Sequence, residues 1–450
     1  MTRARIAGGT AALLLFALLV ALGLVAARLL RNLDVDADAD VSPAIPRLPA
    51  TSAEAHKGLL YGRVTTGSGA AYEGRLRFGG DEEAFWGDYF NGFKEENPWA
   101  ADVPPERLTE SRPVTVLGVE ITRRERKLNL GRPFMARFGD IRRVEPSGRE
   151  LLVTLKSGTG FVLNRFDADD FADGVRIWDD QHGVVDLSER RIRRIEFLPT
   201  AELDGVADRL HGTVRTPQRN FTGFVQWDRQ SSLGSDELRG RTADGEFSLR
   251  FDAIRSIARD SNDSALVTLR DGGEFVLSGT RAVGRGNRGV YVDDGRYGRV
   301  LVSWQAFERL DFGTADGSGP AYDEFPAGQQ LSGAVTTRSG RRLAGRLVFD
   351  LDESETTETL DAPRGGVDYT IPFGLVASIV LPAEEACGDG RHAGVTLHSG
   401  ETLDLECAGD LGEGNAGMLI FTGDGESAEY VAWDEVERID LDRPVPVEVL

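Results

Sequence analysis

The chain has 450 residues, 40% of them apolar and 28% charged, with a formal charge of −21. That charge argues against a protein whose main task is to grip nucleic acid or an anionic membrane surface, and two cysteines cannot supply a disulfide framework or a four-thiolate zinc site. The 54 glycines, against a usual share of about 7%, favour a turn-rich fold over long helices. The negative charge is concentrated. Residues 314–450 carry 27 acidic and 8 basic side chains, so 19 of the 21 excess charges lie in the last third.

Residues 1–5, with Arg3 and Arg5, form a positive flank to the 22 uncharged residues Ile6–Ala27. At about 1.5 Å per residue these make roughly 33 Å of helix, enough to cross a bilayer. The positive flank predicts a cytoplasmic amino terminus and an exported carboxyl side. Val25–Ala27 also reads as a signal-peptidase site, so a signal cleaved after Ala27 is the alternative to an uncleaved anchor. Both readings imply export, either as a single-pass protein of the plasma (inner) membrane or as a periplasmic or secreted one. The 48 arginines against 4 lysines fit a GC-rich bacterial genome. Residues 28–57 hold four aspartates between Asp34 and Asp40, then Pro43, Pro46 and Pro49, and predict an extended, solvated linker.

Internal similarity is the strongest signal beyond the linker. Gly62–Thr66 with Tyr72–Phe78, Gly212–Thr216 with Phe221–Trp227, and Gly333–Thr337 with Leu343–Phe349 open three similar segments. Each continues with a second half (Val153–Gly158, Val267–Gly272, Val395–Gly400) and closes on a matching tail (Ile192–Phe197, Trp304–Phe312, Trp433–Leu441). The first halves end on the same kind of tail, at Phe134–Val144, Phe247–Ile257 and Tyr369–Ile379. The boundaries predicted are 58–199, 200–313 and an acidic 314–450, three repeats of two units each, with an insertion at 81–132 in the first.

Within a unit, period-two alternation and polar–glycine turns predict β-hairpins. Val395–Leu397 and Leu403–Leu405, flanking His398–Glu401, are a clear instance. The closing tail predicts a strand, one turn of 3-10 helix and a last strand. That order resembles the small β-barrels of SH3-like and Sm-like domains, at the level of pattern alone. The resemblance implies an all-β fold of paired small barrels, and a six-bladed β-propeller is the alternative.

Gly284–Gly289 and Gly412–Gly417 both fit GxGxxG, yet each runs into a strand-like segment rather than a helix. They predict turns in which asparagine and glycine supply positive φ. Cys387, His392, His398 and Cys407 form the one cluster with zinc-ligand chemistry. The two histidines would lie about 20 Å apart along a strand at about 3.3 Å per residue, so a Cys387–Cys407 disulfide is favoured over free thiols or a metal. No HExxH pair, GxSxG elbow or Walker loop occurs, and no cofactor is expected. Arg123–Lys127 and Arg190–Arg194 read as outer strand faces, with an acidic partner as the alternative. Nucleic acid is not an expected partner.

The insertion carries the candidate binding site. Six aromatics stand among six carboxylates in Asp81–Trp99. Trp86, Tyr89 and Trp99 could form an exposed platform rimmed by Asp81, Glu82, Glu83 and Asp88, suited to a sugar ring or a basic loop. The competing reading has Phe85, Trp86, Tyr89 and Phe90 capping the first barrel. The function expected is a non-enzymatic, membrane-tethered envelope scaffold or adaptor whose partner is an envelope protein. The alternatives are a glycan- or peptidoglycan-binding protein and a carboxylate-dependent hydrolase.

Overall fold

Alternating apolar residues broken by glycine turns produce strands throughout the described residues. The computed structural model is all-β, with one short helix, α1 (Asp169–Ala172), among the described residues. It describes residues 56–450 except 80, 106–108, 117–118, 128–131, 204, 316, 384–389, 424–426 and 446–450, and for 109–127 the backbone pairing alone. The expected anchor, 6–27, lies outside the described residues. No helix among the described residues is long and apolar enough to cross a membrane.

A first run of strands comprises β1 (Tyr61–Thr66), β2 (Ala71–Phe78), β3 (Tyr89–Phe93), β4 (Thr109–Val116), β5 (Val119–Lys127), β6 (Pro133–Arg137), β7 (Ile141–Ser147), β8 (Glu150–Leu155), β9 (Gly160–Asn164), β10 (Val175–Asp179), β11 (Gly183–Leu187) and β12 (Ile192–Phe197). The second is β13 (His211–Arg215), β14 (Asn220–Trp227), β15 (Glu237–Thr242), β16 (Gly245–Arg250), β17 (Ile254–Arg259), β18 (Ser264–Leu269), β19 (Glu274–Ser278), β20 (Val290–Asp294), β21 (Gly298–Val302) and β22 (Arg309–Phe312). The third is β23 (Ser332–Thr337), β24 (Arg342–Val348), β25 (Thr359–Arg364), β26 (Val367–Pro372), β27 (Val376–Val380), β28 (His392–Leu397), β29 (Thr402–Glu406), β30 (Met418–Thr422), β31 (Ser427–Val431) and β32 (Val436–Leu441).

One strand order occurs in all three runs: β11-β10-β2-β1-β12-β7-β8-β9, β21-β20-β14-β13-β22-β17-β18-β19 and β31-β30-β24-β23-β32-β27-β28-β29. The remaining hairpins sit differently. β3–β6 and β4–β5 are separate two-stranded sheets, β15–β16 joins β19, and β25–β26 joins β21, so that the second run's sheet has twelve strands.

The small closed barrels expected from the sequence are not found; among the described residues every sheet is open. The pairing gives the reason. β1 pairs with β12 and β2 with β10, so strands from the two halves of a run exchange into one sheet instead of closing on their own half.

The recurring glycines of the opening strands face one another: Gly62 opposite Gly74, Gly212 opposite Gly223 and Gly333 opposite Gly345. A Cβ on Gly74, Gly223 or Gly345 would lie 1.9, 1.9 or 2.1 Å from the carbonyl oxygen of Trp178, Asp293 or Phe421. On Gly62, Gly212 or Gly333 it would lie 2.3, 2.5 or 2.0 Å from that of Glu196, Asp311 or Asp440. Neighbouring backbones thus pass where a side chain would start.

The turns after β14 and β24 place Asp228 and Arg229 (φ 53° and 57°) and Asp350 and Leu351 (φ 49° and 55°) in the left-handed region. Such pairs are what a two-residue hairpin turn matched to strand twist requires. Five of the six expected 3-10 turns are present, at Phe138–Asp140, Glu189–Arg191, Phe251–Ala253, Phe373–Leu375 and Trp433–Glu435; the tail Trp304–Phe312 makes an ordinary turn instead.

The GxGxxG segments are turns that lead into β20 and β30, but asparagine acts there through its side chain. Asn287 Nδ2 donates to Ala282 O and its Oδ1 accepts from Gly289 N–H, both at 2.8 Å; Asn415 does the same with Asp410 O and Gly417 N–H. Only the closing glycines are left-handed (φ 103° and 97°), which corrects the positive φ expected of asparagine.

One apolar core spans the second and third runs, and another fills the first. The first core also takes in Tyr322 and Phe325 from the segment before β23. Tyr322 Oη donates to Ile141 O at 2.9 Å, and Lys156 Nζ sits 3.6 Å from its ring centroid and donates to its carbonyl oxygen.

Gly223→Ala is expected to lower unfolding stability by about 3 kcal/mol through overpacking. Gly295→Ala, where nothing lies within 4 Å of the new atom, should stay within about 0.5 kcal/mol of the parent. Urea denaturation of the two variants side by side reads the difference.

Candidate functional site

The insertion begins after β2, where the chain reverses and a carboxylate ties the turn. Asp88 accepts the N–H groups of Glu83 and Ala84, both at 2.8 Å. Asp236 does this for Ser232 and Leu233, and Glu358 for Ser354 and Glu355, at the same place in the other runs. Asp88 is therefore a structural cap. Glu83, 1% exposed, lies 3.4 Å from Arg75 and 3.2 Å from Arg77.

The predicted rim and the predicted platform separate. Trp86 is half-buried, with its ring 6.3 Å from that of Phe325 and 5.1 Å from the Arg137 guanidinium. Tyr89 is 2% exposed and sits 5.1 Å from Arg299; burial pushes its hydroxyl pKa up. Trp99 is half-buried against the third run, 5.9 Å from Phe421 with Arg346 at 5.3 Å. Three aromatics in three different settings do not make one exposed surface. The burial of Tyr89, Glu83 and Asp88 removes them from a solvent-facing site.

Asp81 and Glu82 join a residue the sequence did not single out, Asp170 of α1. Burial and then the charges of Asp170, Asp81 and Asp88 push Glu82 up to about 10. Burial raises Asp170 to about 6 despite donation from Asn91 N and Nδ2 at 2.7 and 3.0 Å. Burial also raises Asp81. Glu82 therefore keeps its proton at neutral pH beside Asp170. No set of three or more metal-binding side chains occurs among the described residues.

The insertion's main polar contact is with the third run. Lys94, 7% exposed, donates to Asp352 at 2.7 Å and to Glu358 at 3.0 Å, and Asn97 Nδ2 donates to Leu351 O at 2.8 Å. Burial opposes the charge on Lys94, but Glu358 and Asp352 outweigh it and hold the ammonium above its ordinary pKa. Nearby, burial raises Asp350 to about 6 and lifts Glu353 and Asp410 well above the carboxylate range. Thr159 donates to Glu355 across the same seam. Within the second run, Asp293, also raised to about 6 by burial, lies 3.7 Å from Arg209.

A cavity of about 200 Å³ between the second and third runs is floored by Phe221, Val367, Tyr369 and Leu405. At its rim Arg219 meets Glu401 at 2.8 Å and Arg364 meets Asp404 at 3.0 Å, so each cation is matched by an anion. The expected 394–407 hairpin is present, with Val395 opposite Leu403. Cys407 is disulfide-bonded and its N–H donates to Arg391 O at 2.9 Å; Cys387 lies outside the described residues.

No family model matches this chain, and no curated protein matches it. A solved structure titled "Streptogramin B lyase structure" aligns over 68% of this chain and 94% of its own, at 10% identity and a TM-score of 0.11, a likeness too slight to carry an argument.

Lysine 94 escaped notice in the sequence because its partners lie some 260 positions later, at 352 and 358. Lys94→Met is expected to cost about 3–5 kcal/mol by stranding two buried carboxylates, read by chemical denaturation. The pH dependence has a definite sign. The raised carboxyls hold protons in the folded state that the unfolded chain releases from about pH 4 upward, so stability is full below that point and is lost as pH rises through about 6. Asp179, held at about 2 by hydrogen bonds that outweigh its burial, acts oppositely and costs stability as pH falls below 4. The Tm should peak near pH 4 and fall by several degrees by pH 7.

Proposed function

We propose that this protein is an exported, membrane-tethered scaffold or adaptor of the cell envelope, non-enzymatic, built from three tandem repeats of two SH3-like/Sm-like units each. In this reading the paired units share strands, which the thrice-used strand order supports. Mixing of strands from both halves in each of the three large sheets favours this over six separate propeller blades. Residues 6–27 provide the tether, and a Cys387–Cys407 bridge fits an oxidising compartment.

One observation carries the reading. A buried polar group, Lys94 with Asp352 and Glu358, joins one run of strands to another rather than opening on a cavity. The partner is taken to be an envelope protein. Glycan recognition is less well supported, because Trp86 and Trp99 spend their faces on Phe325, Arg137, Phe421 and Arg346. A hydrolase reading draws on Glu82, protonated near pH 7, beside Asp170; neither lines the cavities at His211 or Arg219.

Fractionation of bacteria producing the full chain tests the proposal. The protein should sediment with membranes, resist high-salt extraction, and be cleaved in spheroplasts by protease added outside. Recovery in the cytosolic fraction, protected from that protease, would overturn it.

A further inference from the structure

We propose that β11 and β16 are the two halves of an association surface by which one copy of this chain adds to the next, edge to edge. The inference rests on the three-repeat reading, and the experiment below separates the two.

The chain contains one example of the joint. β26 of the third run pairs antiparallel with β21 of the second: Arg299 opposite Thr370, Val300 opposite Tyr369, Leu301 opposite Asp368 and Val302 opposite Val367. In the folded chain Val300 is fully buried and Tyr369 is 4% exposed.

β11 holds in the first run the place that β21 holds in the second. Each is the outer strand of its hairpin and begins on a left-handed glycine opposite an aspartate, Gly183 (φ 72°) with Asp179 and Gly298 (φ 86°) with Asp294. β16 likewise holds the place of β26. Both are second strands of their hairpins, and both lead into a 3-10 turn that starts on a buried phenylalanine, Phe251 or Phe373.

Among the described residues, both β11 and β16 end their sheets with a free edge. An exposed edge is a template for another strand, and here little charge blunts it. Val184 of β11 is 58% exposed, and Val185 and Phe247 are half-buried where their counterparts Val300 and Tyr369 are buried.

Carried over, the β21–β26 register sets Val184 opposite Ser248, Val185 opposite Phe247 and Asp186 opposite Glu246. The two carboxylates are flanked by their own cations, Arg176 at 2.7 Å from Asp186 and Arg241 at 3.1 Å from Glu246, so the row across four strands is neutral. The occupant is a second copy because the chain carries both matching edges. One edge of each kind per copy makes the contact heterologous, so copies add head to tail.

Two full-length chains with different tags, one Val184→Cys and one Ser248→Cys, are co-produced and purified under mild oxidation. A disulfide-linked heterodimer that reductant dissolves is expected. In parallel, Leu301→Cys with Asp368→Cys in a single chain should form an internal link. An internal link without the heterodimer overturns the inference and leaves the repeat reading standing; failure of both links overturns the two together. Val184→Lys with Ser248→Lys, at exposed positions, should weaken self-association in light scattering at least tenfold with an unchanged Tm. Association unaffected by these lysines would also overturn the proposal.

Discussion

Backbone passing against backbone at the paired glycines is the contact on which the rest of the molecule depends. Gly62 and Gly74, with their counterparts in the other runs, let a third and a fourth strand close over the opening hairpin at distances that exclude any side chain. That close approach lets β12 and β10 pair with β1 and β2. Without it the two halves of a run could not merge into one sheet, and Val64 and Ile195, paired and fully buried, would lose their common core. The hydrophobic gain is collected only because six positions give up their side chains.

The joints between runs are built from a different material. Lys94 with Asp352 and Glu358, Arg299 over Tyr89, and Thr159 with Glu355 place charged or polar groups where an apolar seam would be more stable. Each demands a matched partner at one position, so these joints fix how the runs meet. The several carboxyls that burial has made weak acids are the cost of that choice.

The local fold was legible because its signals are local. Val395 and Leu403 announced their hairpin by alternation and a Ser-Gly turn, and the tail at Trp433 announced a 3-10 turn and a strand. Strand exchange between halves was not legible, since the segments that would close a barrel are the same ones that pair across a run. The insertion was legible only in part, for a related reason. Its aromatic density at Phe85, Trp86, Tyr89 and Trp99 was visible, but the surfaces those rings meet, Tyr322, Phe325, Arg299 and Phe421, come from far along the chain. Asp170 and Lys94, which do most to set the electrostatics there, belong to no motif and stand out only through burial.

Tyr322 sets an order of events for a chain made from its amino terminus. The first run has all its own strands once Phe197 has been synthesised, yet its core contains a ring and a hydroxyl that arrive only after the whole second run has been added. Until then the Phe85 ring and the Ile141 carbonyl lack the partner that Tyr322 supplies in the folded chain. The first run is thus finished from outside its own sequence, and a chain cut before residue 322 would hold all twelve of its strands without the ring that completes their core.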